Sequence, residues 1–296
     1  MKTHHDFPPQ LAIFFCAVLW STAGLFIKLI EWNPLVIAGA RSFLAAIFLI
    51  IFRAITERNK PNEQKKPLSP LVLWGGAACY AFTMLLFVTA NKMTTSANVI
   101  LLQYASPIWA ALLGWLIIKE IPNWKQWVSV ALVGCGMFIF FSNNPGSQVR
   151  SEGALIGDIL GFVSGVGMAG TSVFMRKAKD HSPIDIVILA NLMTAAVTIP
   201  FFIIYPPVFS STNILIILFL GIIQIGVAAA LFSYGIKKVT SVQALLISAI
   251  EPVLNPVWVL LVIGEVPAPT VIIGGAIIIA AVLFSSIPGR RNKNIF

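Results

Sequence analysis

Apolar residues run along this chain in ten long blocks: 11–30, 34–55, 68–91, 97–118, 124–142, 153–175, 184–205, 212–236, 241–263 and 268–287. Each holds about twenty residues, enough for one α-helix to cross the hydrocarbon core of a bilayer. Polar residues gather in the intervals between blocks, which leave no room for a soluble domain. The pattern predicts an all-α membrane protein with ten transmembrane helices. The longest polar interval, 53–70, carries Arg53, Arg58, Lys60, Lys65 and Lys66 and reads as a flexible loop. The first block follows Lys2 and is too long for the core of a signal peptide, so it reads as a retained helix.

The polar and proline interruptions of the blocks repeat. Thr95-Ser96, Pro107, Glu120 and Pro122 return as Thr240-Ser241, Pro252, Glu265 and Pro267, each 145 residues later. This duplication divides the chain into residues 7–142 and 153–287, with five helices in each. With five spans per half, an odd number, the second half enters the membrane from the opposite side. The expectation is therefore two inverted five-helix repeats. A proline-interrupted helix at matching places in two such halves points to the central site of a transporter. The proline removes one backbone hydrogen bond and leaves a carbonyl free to face a cavity. Asn33-Pro34 and Ser182-Pro183 open the second and seventh blocks alike, each pairing a capping residue with proline at the first helical position.

Composition narrows the class. Apolar residues make up 58% of the chain and charged residues 10%, with a mean hydropathy of +0.90, whereas soluble domains carry about 25% charged residues. The net charge of +9 does not imply a nucleic-acid partner, because the basic residues sit in short loops where membrane topology explains them. If the N-terminus is cytoplasmic, all of the 20 Lys and Arg except Lys28, Arg41, Lys92 and Arg150 fall on the inner side. That bias places both termini in the cytoplasm. Cys16, Cys79 and Cys135 lie in apolar blocks, and His4, His5 and His181 lie outside them. No disulfide framework and no intramembrane metal site is expected. The sequence contains no GxxxxGK[ST], HExxH or GxSxG motif, so no ATP motor, no cofactor and no enzyme is expected.

Glu251 is the sharpest single feature. It sits in the middle of the ninth block beside Pro252, where a charge costs roughly 2.5–3.5 kcal/mol on insertion scales unless it faces a cavity or a partner. Ser241, Ser248, Glu251, Asn255 and Trp258 follow helical spacing on one face. The earlier repeat puts Ser96, Gln103 and Ser106 at the places of Ser241, Ser248 and Glu251. Two polar faces are thus expected to line one cavity. Two roles are open to Glu251: it binds a substrate ammonium group or carries a proton, or it is a structural partner that closes the proline break. Arg41, inside the second block, is open to pairing with Glu251, to binding a carboxylate, or to reaching the interface. Trp20, Tyr80, Tyr104 and Tyr234 are candidate aromatic walls, with core packing as the alternative for each. Gly153, Gly157, Gly161 and Gly165 form a smooth stripe suited to close helix packing, with direct substrate contact as the other reading.

The ten blocks, the five-helix duplication and the paired patterns Ser106-Pro107-(x12)-Glu120 and Glu251-Pro252-(x12)-Glu265 resemble the EamA family of the drug/metabolite transporter superfamily. The resemblance covers about residues 11–287. It implies a ten-helix inverted-repeat fold, multi-pass in the cell inner membrane, and export of amino acids or similar small metabolites. The expected molecule is a secondary transporter that alternates access around a cavity, with protons as a candidate coupling ion. Its site would comprise Glu251, Gln103, Ser106, Ser248, Asn255, Trp20, Tyr80, Tyr104, Tyr234 and Arg41. A multidrug or quaternary-cation exporter and a non-transporting membrane sensor are the rival readings.

Overall fold

The structure is a computed structural model that describes residues 7–58, 68–94, 96–141, 153–263 and 269–286. The first half comprises α1 (Pro9–Trp20), α2 (Ala23–Leu29), α3 (Pro34–Glu57), α4 (Pro70–Met93), α5 (Ser96–Gln103), α6 (Ser106–Ile118) and α7 (Trp124–Phe141). The second comprises α8 (Ala154–Lys177), α9 (Pro183–Ile204), α10 (Ser211–Leu218), a π-helical segment (Phe219–Val227), α11 (Ala228–Gly235), α12 (Ser241–Ser248), α13 (Ile250–Ile263) and α14 (Pro269–Ser286). No strand occurs among the described residues. Glu265 and Pro267 lie outside them.

Among the described residues, six helices or joined helices are long and apolar enough to cross a membrane unaided: Pro9–Leu29, Pro34–Thr56, Pro70–Met93, Ala154–Lys177, Pro183–Ile204 and Ser211–Gly235. The fourth and ninth blocks, read from sequence as single spans, are each two helices. Pro107 and Pro252 cause the breaks. Each lacks the N–H that would continue the ladder, so α5 gives way to α6 and α12 to α13 within a turn. The first block is also divided, at Ser21 and Thr22. Their hydroxyls donate to the carbonyls of Val18 (2.6 Å) and Leu19 (2.7 Å), a side-chain alternative to the helical ladder.

Helix starts follow local chemistry. Asn33 caps α3 by accepting from the Leu35 N–H at 2.9 Å, with Pro34 behind it. Ser182, its expected counterpart, makes no such bond, and α9 starts on Pro183 alone. At the end of α6, Lys119 turns into the left-handed region (φ 57°) and the Glu120 N–H donates back to Gly114 at 3.1 Å. That reversal carries the Glu120 side chain to the other half of the molecule.

Several helix pairings recur when the halves are exchanged. α4 packs along α8 as α11 packs along α1, and α4 meets α9 as the π segment meets α3. α3 packs on α9 and α7 on α14, each on its own counterpart. The glycine stripe of α8 serves this packing. A Cβ at Gly157 would lie 2.9 Å from Met93, at Gly161 3.2 Å from Val99, and at Gly165 2.7 Å from the Gln103 carbonyl oxygen. The outer surface carries Phe43, Ile51, Trp74, Leu116, Ile203 and Leu283, all more than half exposed, as suits a lipid-facing surface and not a water-facing one.

Candidate functional site

A cavity of about 720 Å³, its open mouth included, lies between the halves. Trp20 of α1, Arg41 of α3, Tyr80, Thr83, Met84 and Phe87 of α4, and Gln103 at the end of α5 come from the first half. Met168, Thr171, Ser172 and Met175 of α8, Gln224 of the π segment, Phe232 of α11 and Glu251 of α13 come from the second. The wall is mostly apolar, with a few polar groups converging on it, which is the composition of a small-molecule site.

Glu251 is buried and reaches the cavity from the first turn of α13. Its Oε2 accepts from the Tyr104 hydroxyl at 3.0 Å. The same hydroxyl contacts the Ser248 carbonyl oxygen. That carbonyl is the one Pro252 cannot serve, lying four residues before it, so Tyr104 of one half closes the proline break of the other. A phenolic hydroxyl has one hydrogen, and here two acceptors compete for it. When Glu251 is charged, Tyr104 cannot satisfy both. When Glu251 is protonated, it donates to the Tyr104 oxygen, Tyr104 donates to Ser248, and every group is satisfied. Both roles weighed for Glu251 therefore meet at one hydroxyl.

Gln103 also lines the cavity. Its amide donates to Ser164 Oγ at 3.0 Å, and Ser164 donates to the Gly161 carbonyl at 2.6 Å. Arg41 is 1% exposed and lines the cavity from α3. It forms no ion pair with Glu251. Trp20 lies against Phe232, ring centroids 5.4 Å apart, and Tyr80 stands on the α4 wall.

Other candidates stand elsewhere. Ser106 and Ser248 are fully buried behind the wall. Ser248 Oγ donates within its own helix to Ala244 at 3.0 Å, and Ser106 Oγ points to the Met168 sulfur at 3.9 Å. Tyr104 is one layer behind Glu251. Tyr234 is outside the site altogether: it is 37% exposed, and its hydroxyl donates to the Phe7 carbonyl at 2.7 Å. Helical rotation explains this, because Phe232, two residues earlier, takes the inward position. The Asn255 side chain lies outside the described residues.

The sequence reading missed Gln224, Thr83, Thr171 and Ser172. A polar residue in the middle of an apolar block was the available signal, most clearly for Gln224. Met84, Phe87, Met168 and Met175 carried none, since they are indistinguishable from core residues by type.

Beyond the cavity, Glu120 ties the halves together. Its carboxylate accepts from Arg176 Nε at 3.2 Å and from the Ser241 backbone N–H at 3.2 Å, capping α12. Arg176 also donates to the carbonyls of Ile236 (3.2 Å) and Lys237 (2.7 Å). Gln126 donates to Thr240 Oγ1 at 2.6 Å.

The model of the EamA-like transporter family matches residues 8–142 and 155–287. An uncharacterized transporter of Archaeoglobus fulgidus is 27% identical, over 93% of this chain and 95% of its own. The uncharacterized transporter YwfM of Bacillus subtilis is 24% identical, over 96% of this chain and 95% of its own. A solved crystal structure superposes with a TM-score of 0.76 at 19% identity, covering 97% of this chain and 99% of that one, a likeness of fold.

Proposed function

The chain belongs to the EamA-like transporter family, and on that premise we propose that it is a secondary transporter of the cell inner membrane that exports amino acids or similar small polar metabolites. The ten blocks span the membrane as two inverted five-helix repeats with both termini cytoplasmic, and access alternates around the cavity between them. One observation carries this reading: a cavity built by both halves has a buried carboxylate, Glu251, on an otherwise apolar and aromatic wall. A buried acid that faces a cavity is suited to a substrate ammonium group or to a proton. The competition of Glu251 and Ser248 for the single hydrogen of Tyr104 supports protons as the coupling ion, because loading or unloading Glu251 changes the support of the Pro252 break.

Trp20 and Phe232, which line the same cavity as Glu251, also favour a second reading, export of quaternary cations. Counterflow in proteoliposomes separates the two. Vesicles loaded with unlabelled amino acids are expected to accumulate at least one labelled amino acid above empty vesicles, with loss of most of that uptake in Glu251→Gln. Uptake that only hydrophobic cations can drive or inhibit selects the second reading. Full activity with unchanged pH dependence in Glu251→Gln makes Glu251 structural.

A further inference from the structure

Arg41 is a buried cation that the described residues leave without an anion. Its side chain is 1% exposed, yet Nε and Nη1 have no hydrogen-bond partner among the described residues. Nη2 donates at 3.2 Å to the sulfur of Met84, an acceptor too weak to offset a full charge. The ionisable side chains on the same wall are Tyr80 and Glu251; Arg41 forms no ion pair with Glu251, and a neutral phenol such as that of Tyr80 supplies no counter-charge. Gln224 Oε1, also on the wall, is buried without a partner too. A guanidinium taken out of water is retained only with a counter-charge, or where the counter-charge arrives with a ligand.

The backbone holds Arg41 in place to receive one. The π segment brings Gly221 against α3 so closely that a Cβ there would lie 2.9 Å from the Arg41 carbonyl. Met84 fixes one end of the fork, while the Nε and Nη1 donors stay unused. Nη2 carries two hydrogens, and whichever one faces Met84, the other lies beside an unused N–H of Nε or of Nη1, so one two-donor edge of the planar fork stays open to the two oxygens of a carboxylate.

We propose that Arg41 is the carboxylate-binding subsite of the cavity and makes a carboxylate an obligatory part of the substrate. This rests on the transporter reading above and narrows it: a ligand with a carboxylate for Arg41 and an ammonium for Glu251 satisfies both buried charges, whereas a purely cationic ligand leaves Arg41 uncompensated and is repelled by it.

The test compares acids with their neutral amides in the intact protein. Counterflow in proteoliposomes, and thermal stabilisation of the purified protein, are measured with leucine, phenylalanine, glutamine and lysine, with the C-terminal amide of each, and with tetraphenylphosphonium. Wild-type protein is expected to prefer at least one acid to its amide by about tenfold or more, the range of a lost charge-assisted pair. R41Q is expected to lose that preference, and R41K to recover part of it, since lysine restores the charge without the fork. The acid-to-amide ratio in wild type needs no variant, so the test survives a variant that fails to fold. Equal handling of acid and amide by a wild-type protein that transports overturns the subsite and leaves the transporter reading standing, as does an R41Q protein with the wild-type ratio. Response to tetraphenylphosphonium alone overturns the subsite in favour of cation export. Folded wild-type protein with neither flux nor stabilisation by any probe overturns both.

Discussion

Tyr104 shows how one hydroxyl can join chemistry to backbone. Pro252 leaves the Ser248 carbonyl without its helical donor, and Tyr104 from the other half stands against it while also reaching Glu251. Removing that hydroxyl leaves a buried carbonyl and a buried carboxyl each short of a partner, at about 1–3 kcal/mol per group. Tyr104→Phe is therefore expected to lower the melting temperature of the purified protein and to alter the pH profile of counterflow. Wild-type stability together with a wild-type profile would show that the hydroxyl supports neither the break nor the acid. The neighbouring serines illustrate the limit of reading a helical face. Ser248 was placed beside Glu251 by spacing alone, and its hydroxyl turns back to Ala244. Face periodicity says which side a residue is on, not whether a larger neighbour stands between it and the cavity.

At the scale of elements, broken helices and close crossings depend on each other. α5 ends at Gln103, and the carbonyl freed by Pro107 settles against Gly165 of α8. Gly165→Val would drive a side chain into that backbone oxygen, and overpacking of this kind costs about 1–3 kcal/mol. A drop in thermal stability is expected for Gly165→Val but not for Gly134→Ala, where nothing lies within 4 Å of the added carbon. Equal melting temperatures for the two would mean that α8 has room to shift away from α5. The π segment has the same dependence: Gly221 against Leu44 and Gly226 against Phe48 let it lie on α3, and its register turns Gln224 to the cavity. Its glycines were visible in the sequence, but not its i→i+5 hydrogen bonding, because the apolar pattern of block 212–236 fits a regular helix equally well.

At the scale of the whole molecule, Glu120 holds one end of the two halves together. It caps α12 and pairs with Arg176, while Gln126 reaches Thr240. In the alternating-access mechanism proposed above, such a strut has to open. Its bonds carry charge, and each contributes about 1.5–3 kcal/mol. Glu120→Ala is expected to speed thiol labelling of Ser172→Cys, in a background without Cys16, Cys79 and Cys135, by about tenfold or more from the side that bears Glu120. An unchanged labelling rate would separate this contact from gating.

The duplication, the helical class and the prominence of Glu251 could be read from the chain alone, because each is a local or periodic property: apolar length, a constant offset of 145 residues, and the cost of a charge in lipid. The breaks at Pro107 and Pro252 were legible for the same reason, since proline acts on its own ladder. Only the tertiary structure could decide which polar groups share a wall. It joined Arg41, Gln103, Gln224 and Glu251 around one space, set Ser106, Ser248 and Tyr104 behind it, and turned Tyr234 outward. Those outcomes depend on helix rotation and on the packing of one half against the other, which a residue's own sequence neighbours do not encode. The unpaired state of Arg41 belongs to this second class, because a missing partner can be recognised only once every neighbour is in place.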